Sequence, residues 1–467
     1  MDDERIGKVF RVIEERRDAF IEELLDFLKI PSVSADSSYR IDVRRAAEWL
    51  VASLARLGME TKIFETGNHP IVFGELFTSF DRPTLLVYGH YDVQPPDPLD
   101  EWTNNPFDPS IRDGYVYARG ASDDKGQLFA HMKALDAWRQ CGFELPVNLK
   151  FVFEGEEEIG SPSLEAFLKN NEDLLKADAV VISDGHQFAK GIPAITYGLR
   201  GLAYFEVEVE GPKMDLHSGG FGGLVMNPIH ALIFILSRLK DLKDCILIDN
   251  FYDDVIMPDE EEREMIRQLP FDEEALRKEL GVRELFGEDG FLPLERKSFR
   301  PTLDINGIWG GYQKEGAKTI IPSRAGAKVS IRLVPNQRHD VVTRLFVEYL
   351  KKIAPPAVKV NVRVLAGANP VLVDRKLPEM KAAEHAIEIG FGKKPVFIRE
   401  GGTIPVVNMF YEILGVRPLL MIGFGRPDDR IHGPDERFHL DDFLCGMKTA
   451  VALWIELAKL SFRSEGS

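Results

Sequence analysis

Residues 83–94 read PTLLVYGHYDVQ, and residues 119–126 read RGASDDKG. The apolar run Pro83 to Tyr88 predicts a buried strand that ends in His90 and Asp92, whose side chains share a face of an extended chain. The second segment places Asp123 and Asp124 after Gly120 and at the entrance of a helix predicted over 127–139, where carboxylates are electrostatically favoured. An imidazole and several carboxylates from two strand-to-helix junctions form a ligand set suited to a divalent metal. The competing reading of this stretch alone is an acidic surface loop beside one buried histidine.

The same pattern recurs downstream. Residues 148–153 (NLKFVF) form a predicted strand that runs into EGEEEIGS at 154–161, and 179–183 (AVVIS) form another that ends at Asp184. Strands that repeatedly deliver acids to their carboxyl ends indicate an open α/β sheet, in which ligand sites lie at that edge. Before them, the periodicity predicts helices over 6–30 and 42–57 and short strands over 59–65 and 71–76. Residues 89–118, rich in Pro and Asp, read as a long functional loop.

The texture changes near residue 196. Residues 202–210 alternate strictly, as do 325–334 and 358–365, which predicts antiparallel strands with one face covered. Helices are predicted over 227–240 and 341–352, with helical pieces in the charged stretch 253–295. From residue 377 the helix and strand alternation of the first part resumes. The chain therefore divides into a first domain over 1–195 and 371–467 and an inserted α+β domain over 196–370. The first is α/β, a mixed sheet flanked by helices.

At 467 residues, 44% hydrophobic and 28% charged, the composition is that of a soluble globular protein. The 58 basic and 75 acidic residues give a net charge of −17, which argues against nucleic acid and against an anionic membrane as partners. Cys141, Cys245 and Cys445 are dispersed and form no metal-binding pair, as expected of thiols in a reducing compartment. The acidic N-terminal sequence lacks the apolar core of a signal peptide, so cytoplasmic residence is the expectation.

Of the ten histidines, His69, His131, His186, His230, His339, His385 and His439 read as structural. His90, His217 and His432 stand in richer company. His217 opens LHSGGFGG, and His432 lies in the loop GFGRPDDRIHGPD. Among Glu156, Glu157 and Glu158, which follow a buried strand, one could bind metal while its neighbour works on water.

These motifs stand in a recognisable order: GHYDV at 89–93, RGASDDKG at 119–126, EEIGS at 157–161, SDG at 183–185, DLHSG at 215–219, SIRLVPN at 330–336, REGGTIP at 399–405, and His432. The sequence resembles the M20 family of metallopeptidases, and within it the carnosinase-like dipeptidases. The resemblance implies a dizinc aminopeptidase/carboxypeptidase-like catalytic domain with an inserted lid and dimerisation domain. It implies two divalent ions per chain, zinc first and manganese or cobalt as alternatives. Asp123 would bridge them, with His90 and Asp184 completing one site and Glu158 and His432 the other. Asp92 would orient the His90 ring, and Glu157 would be the general base acting on a water between the ions. The peptide after the bridging acid is often cis in this family.

The resemblance also implies that His217 stabilises the oxyanion and that a homodimer forms through the inserted domain; in the family this histidine usually comes from the partner subunit, and whether His217 acts in cis or in trans depends on the dimer. Arg332 would grip the free carboxylate of a small peptide substrate, with Thr319 and Thr403 as further substrate contacts; Arg399 and Glu400 would support the turn that carries Thr403. The implied activity is hydrolysis of the amide bond of dipeptides with a free C-terminal carboxylate. N-acyl amino acid deacylase or carbamoylase activity is the alternative within the same chemistry, and a scaffold without turnover the alternative outside it.

Overall fold

The computed structural model describes residues 2–416 and 418–460. The chain forms two units. One comprises Met1–Tyr197, Val373–Ile398 and the residues from Pro405 onward; the other comprises Gly198–Leu372 and the short segment Arg399–Ile404.

The first unit is built on a mixed sheet. Seven of its strands run in the order Glu60–Phe64, Ile71–Leu76, Asn148–Glu154, Thr84–His90, Ala179–Ile182, Leu419–Ile422, Ala194–Leu199. Asn148–Glu154, Thr84–His90, Ala179–Ile182 and Leu419–Ile422 are mutually parallel, and the strands outside them pair antiparallel. The parallel strands are buried nearly throughout, which explains their unbroken apolar sequences.

Helices cover both faces of this sheet. On one face, Gly89 approaches Leu128 of helix Lys125–Gln140 so closely that an added Cβ would lie 2.8 Å from the Leu128 Cβ. On the other, the Tyr88 ring packs edge-on against Phe410 of helix Pro405–Ile413, with centroids 5.3 Å apart. Helix Leu440–Ala458 packs against both Lys125–Gln140 and Pro378–Phe391. The expected architecture, a mixed sheet flanked by helices, is thus the observed one.

Two local expectations differ. The predicted helix over 6–30 is two helices, Asp2–Glu15 and Arg17–Leu28, and nothing in the local sequence explains the break at Arg16. The loop 89–118 also carries the short strands Ser110–Arg112 and Tyr115–Tyr117, the second of which pairs with Arg437–His439. The turn between them uses Asp113 and Gly114, both at positive φ.

The second unit is α+β. Its antiparallel sheet runs Thr302–Gly310, Arg324–Leu333, Gly201–Glu210, Lys359–Ala368. Helices Pro228–Leu236 and His339–Ile353 pack on it. Alternate residues such as Phe205, Val207, Val329 and Ile331 enter the core with Leu232, Ile235 and Phe346. The charged stretch contributes helices Glu260–Gln268, Glu273–Leu280 and Pro293–Ser298. Among the described residues no helix is long and apolar enough to cross a membrane.

Candidate metal centre and active site

The four parallel strands of the first unit finish at one edge of the sheet. His90 is the last residue of its strand, Glu157 and Glu158 follow another, and Asp184 lies two residues past a third. His432 comes from the loop after the fourth, with a left-handed backbone (φ 61°) uncommon for a residue with a side chain.

Two groups of potential ligand atoms result, one from His90, Asp123 and Asp184 and one from Asp123, Glu158 and His432. Asp123 belongs to both through different oxygens. Its Oδ1 lies 3.0 Å from His90 Nε2, and its Oδ2 lies 2.9 Å from His432 Nε2. The remaining members are close by: Asp184 Oδ1 is 3.9 Å from His90 Nε2, and Glu158 Oε2 is 3.3 Å from His432 Nε2. The Asp123–Asp124 peptide is cis, and Asp124 Oδ2 accepts the His90 backbone N–H at 3.2 Å.

The electrostatics of these side chains favour a cation among them. Burial pushes Asp184 up to about 7, with the charges of Asp123 and Glu158 adding to the effect against His90. Burial likewise raises Glu157 well above the usual carboxylate range; His90 opposes the shift, and Asp184, Glu158 and Asp92 reinforce it. Burial alone would raise Asp123 too, but hydrogen bonds from His432 and His90 hold it below the ordinary range. Hydrogen bonds to Asp123 and Glu158 push His432 up to about 10. Burial disfavours charge on His90, yet Asp123 and Asp92 outweigh it and raise its pKa well above the ordinary value. Imidazole nitrogens facing carboxylate oxygens at both groups fit zinc, manganese or cobalt.

Asp92 has two attachments. His90 Nδ1 lies 3.1 Å from the Asp92 backbone carbonyl and 3.4 Å from its Oδ1. The carboxylate itself accepts the backbone N–H groups of Glu157 at 3.2 Å and Glu158 at 3.1 Å. One buried residue therefore faces the ring of one candidate ligand and holds the backbone that carries another. Glu157 belongs to neither ligand group, which leaves its carboxylate available for proton transfer.

The remaining sequence-predicted residues lie in the second unit. His217, in the short strand Leu216–His217 paired with Ile320–Ile321, is exposed. Its Nδ1 accepts the Gly219 N–H at 2.9 Å, so a neutral ring carries its proton on Nε2. Beside it, the Thr319 carbonyl accepts the Ser218 N–H at 3.0 Å. Arg332 Nη1 donates to Thr403 Oγ1 at 2.8 Å, and Thr403 Oγ1 donates to the Arg200 carbonyl at 2.6 Å. Arg399 pairs with Glu262 and Glu400 with Lys297, at 3.4 Å, so both flank the turn as structural partners.

Sequence reasoning missed several supports. Gln94 Nε2 donates to Glu158 Oε2 at 2.8 Å. Glu436, fully buried, accepts from Arg119 and from the backbone N–H groups of Gly120, Ser122 and Asp123. Its position four residues past His432, in the same Gly- and Pro-rich loop, is the signal that could have drawn attention to it. The other nearby histidines have local roles: His131 Nε2 meets Ser183 Oγ at 2.7 Å, and His439 caps helix Leu440–Ala458 by accepting the Asp441 N–H.

Known proteins resemble the chain along nearly its whole length. The model of Peptidase family M20/M25/M40 matches residues 86–456. The Cys-Gly metallodipeptidase of Schizosaccharomyces pombe is 35% identical over 98% of this chain and 99% of its own. Human carnosine dipeptidase 1 superposes with a TM-score of 0.81 at 33% identity, over 97% of this chain and 99% of that one. The M20 family metallo-carboxypeptidase Sso-CP2 of Sulfolobus solfataricus does so with a TM-score of 0.83 at 35% identity, over 94% and 99%. Two candidate ligand groups that share Asp123, a family model spanning most of the chain and relatives a third identical along nearly all of it lead to one assignment: the chain belongs to peptidase family M20/M25/M40.

Proposed function

We propose that this protein is a metal-dependent dipeptidase that hydrolyses the amide bond of dipeptides with a free C-terminal carboxylate. The observation that carries the reading is the division of Asp123 between two candidate ligand groups, with Glu157 part of neither but within the electrostatic reach of His90 and Asp184 in one and of Glu158 in the other. Relatives named Cys-Gly metallodipeptidase and carnosine dipeptidase support it.

Two divalent ions held by His90, Asp123 and Asp184 and by Asp123, Glu158 and His432 would supply Lewis-acid polarisation of the scissile carbonyl and of water. Glu157 takes a proton from the attacking water as its oxygen bonds to the carbonyl carbon, then delivers that proton to the leaving nitrogen as the C–N bond breaks. Asp92 keeps Glu157 and Glu158 in register through their backbone N–H groups. His217 offers Nε2–H to the oxygen that gains charge, a donor role worth about 3 kcal/mol in other hydrolases. Arg332, steadied by Thr403, presents a planar fork to the substrate carboxylate, and Thr319 lies next to His217 as a further contact.

A homodimer formed through the inserted domain, over 196–370, is part of the proposal. Exposed Ile233 and Phe234 on one helix and Ile305 and Ile308 on the edge strand of that unit give it an apolar surface to bury. Cytoplasmic residence is supported by three cysteines with no disulfide among them.

A second reading, release of C-terminal residues from longer peptides, is favoured by the 35% identity to a metallo-carboxypeptidase. The deciding experiment assays dipeptides, N-acetyl and N-carbamoyl amino acids and tetrapeptides with zinc and with manganese. Dipeptides turned over fastest is the expected result. Faster turnover of the acyl amino acids or of the tetrapeptides would overturn the dipeptidase assignment.

A further inference from the structure

The second unit contains a cavity of 520 Å³ bordered by Arg200, Thr302 and Asp304. Thr302 and Asp304 alternate on their strand with Leu303, which is buried in the core, so both project from the opposite face of the sheet. Thr302 is the cross-strand partner of Arg332, and partners in an antiparallel pair project side by side from the same face. Arg200 links the two places. Its guanidinium donates to the Gly401 carbonyl at 2.8 Å and reaches Thr302 Oγ1 at 3.4 Å, while its own carbonyl receives the Thr403 hydroxyl that steadies Arg332.

Arg200 and Arg332 sit beside one another, and among the described residues neither makes an ion pair with a carboxylate. Burial and the charge of Arg332 bring Arg200 down to about 10, against the opposing charges of Asp304 and Glu400, neither of which pairs with it directly. The rest of the cavity has a different chemistry. Phe271, Leu276, Leu280, Leu285, Phe286 and Leu294 form an apolar wall, and two of them are unusually exposed, Phe286 at 68% and Leu280 at 57%. Charged neighbours Glu284, Arg296 and Lys297 are of mixed sign and select neither an acidic nor a basic side chain.

A carboxylate site adjoining an apolar chamber is what one amino-acid residue with a free carboxylate and a large apolar side chain requires. We propose that this cavity receives the side chain of the residue whose carboxylate Arg332 holds, so that the protein prefers substrates ending in Leu or Phe. This rests on the reading above that Arg332 grips the substrate carboxylate. A chamber of this volume is of ligand size, and a C-terminal glycine would leave it without an occupant.

Two measurements test the inference separately from the proposed activity. In the first, kcat/KM is compared for Ala-Gly, Ala-Leu and Ala-Phe, with a preference of about tenfold or more expected for the larger residues. Phe286→Ala and Leu280→Ala, both at exposed positions that do not threaten folding, should lower the Phe-to-Gly ratio about fivefold, chiefly through KM. In the second, calorimetric titration of the whole protein compares 3-phenylpropanoate with acetate, neither of which has a bond to cleave. The first should bind about tenfold tighter, and Phe286→Ala should shrink that margin. Selective binding of 3-phenylpropanoate without turnover of any dipeptide would uphold the cavity's role and refute the proposed activity. Turnover with no preference among the three dipeptides, or equal binding of the two acids, overturns the inference, as does a ratio unmoved by both substitutions.

Discussion

Arg119 donates to Glu436 at 2.7 Å, and both side chains are buried. The other contacts of that carboxylate are the backbone N–H groups of Gly120, Ser122 and Asp123 at 2.9–3.1 Å. The loop that presents the shared candidate ligand Asp123 is thus wrapped around a single anion. Glu436→Gln replaces an all-acceptor group with one that turns N–H bonds toward those donors and leaves Arg119 without a counter-charge. We expect a loss of about 3 kcal/mol in urea unfolding, since breaking one side of a buried pair strands the other. Metal affinity should weaken about 10- to 100-fold, as for other groups that orient ligands. An unchanged unfolding midpoint with full metal content would show that the loop is held by other means.

Glu157→Gln separates proton transfer from metal binding. Glutamine keeps the size of the side chain and the backbone bond to Asp92 but cannot take up a proton. Turnover should fall by about 10²- to 10⁴-fold. Elemental analysis should find the same metal content as in the unmodified protein, because Glu157 lies outside both ligand groups. Loss of metal would mean that Glu157 and Glu158 have exchanged roles.

Much of this arrangement was legible because buried parallel strands are written as unbroken apolar runs. Each run led into an acid or a histidine, so Thr84–His90, Asn148–Glu154 and Ala179–Ile182 announced both the sheet and the edge where the candidate ligands gather. The edge strand Thr302–Gly310 was not legible. Its alternation lasts only from Thr302 to Asn306 and breaks at Gly307, where its register slips between Ile305 and Gly307. Glu436 and Gln94 escaped notice for another reason. Their partners are remote in sequence, and a lone acid or amide has no local signature until the chain is folded. Asp92 was legible as a residue near His90, but its carboxylate bonds to Glu157 and Glu158 are visible only in three dimensions.

His131 gives the unfolding equilibrium a pH dependence of known sign. Burial brings its pKa down from 6.5 to about 3, and among the described residues Nδ1 has no hydrogen-bond partner. Between those values the unfolded chain binds a proton that the folded protein does not, so stability rises with pH in this window and levels off above 6.5. From about pH 7 to about pH 5 the residue should cost the protein about 2 kcal/mol. His131→Gln can still hydrogen-bond to Ser183 but does not titrate. Urea midpoints for the two proteins at both pH values isolate the effect, because the other titrating groups cancel in the comparison. Equal pH slopes would contradict a neutral, buried His131.

Asp123 and His432 should differ in how much metal their loss removes. Asp123 gives one oxygen to each group, so Asp123→Ala leaves two ligands at each, His90 with Asp184 and Glu158 with His432. Two protein ligands fall short of the three that a catalytic zinc site commonly uses, and both ions should be lost after dialysis. His432→Ala removes a half-exposed ligand from one group only and leaves His90, Asp123 and Asp184 intact. That variant should keep about one equivalent per chain. Its fold should be nearly unaffected, because the ring lies half in solvent and fills no core space. Elemental analysis of the two variants beside the unmodified protein reads the difference directly. If Asp123→Ala kept a full equivalent, its two oxygens would not be shared between the sites. If His432→Ala lost both, the two sites could not fill independently.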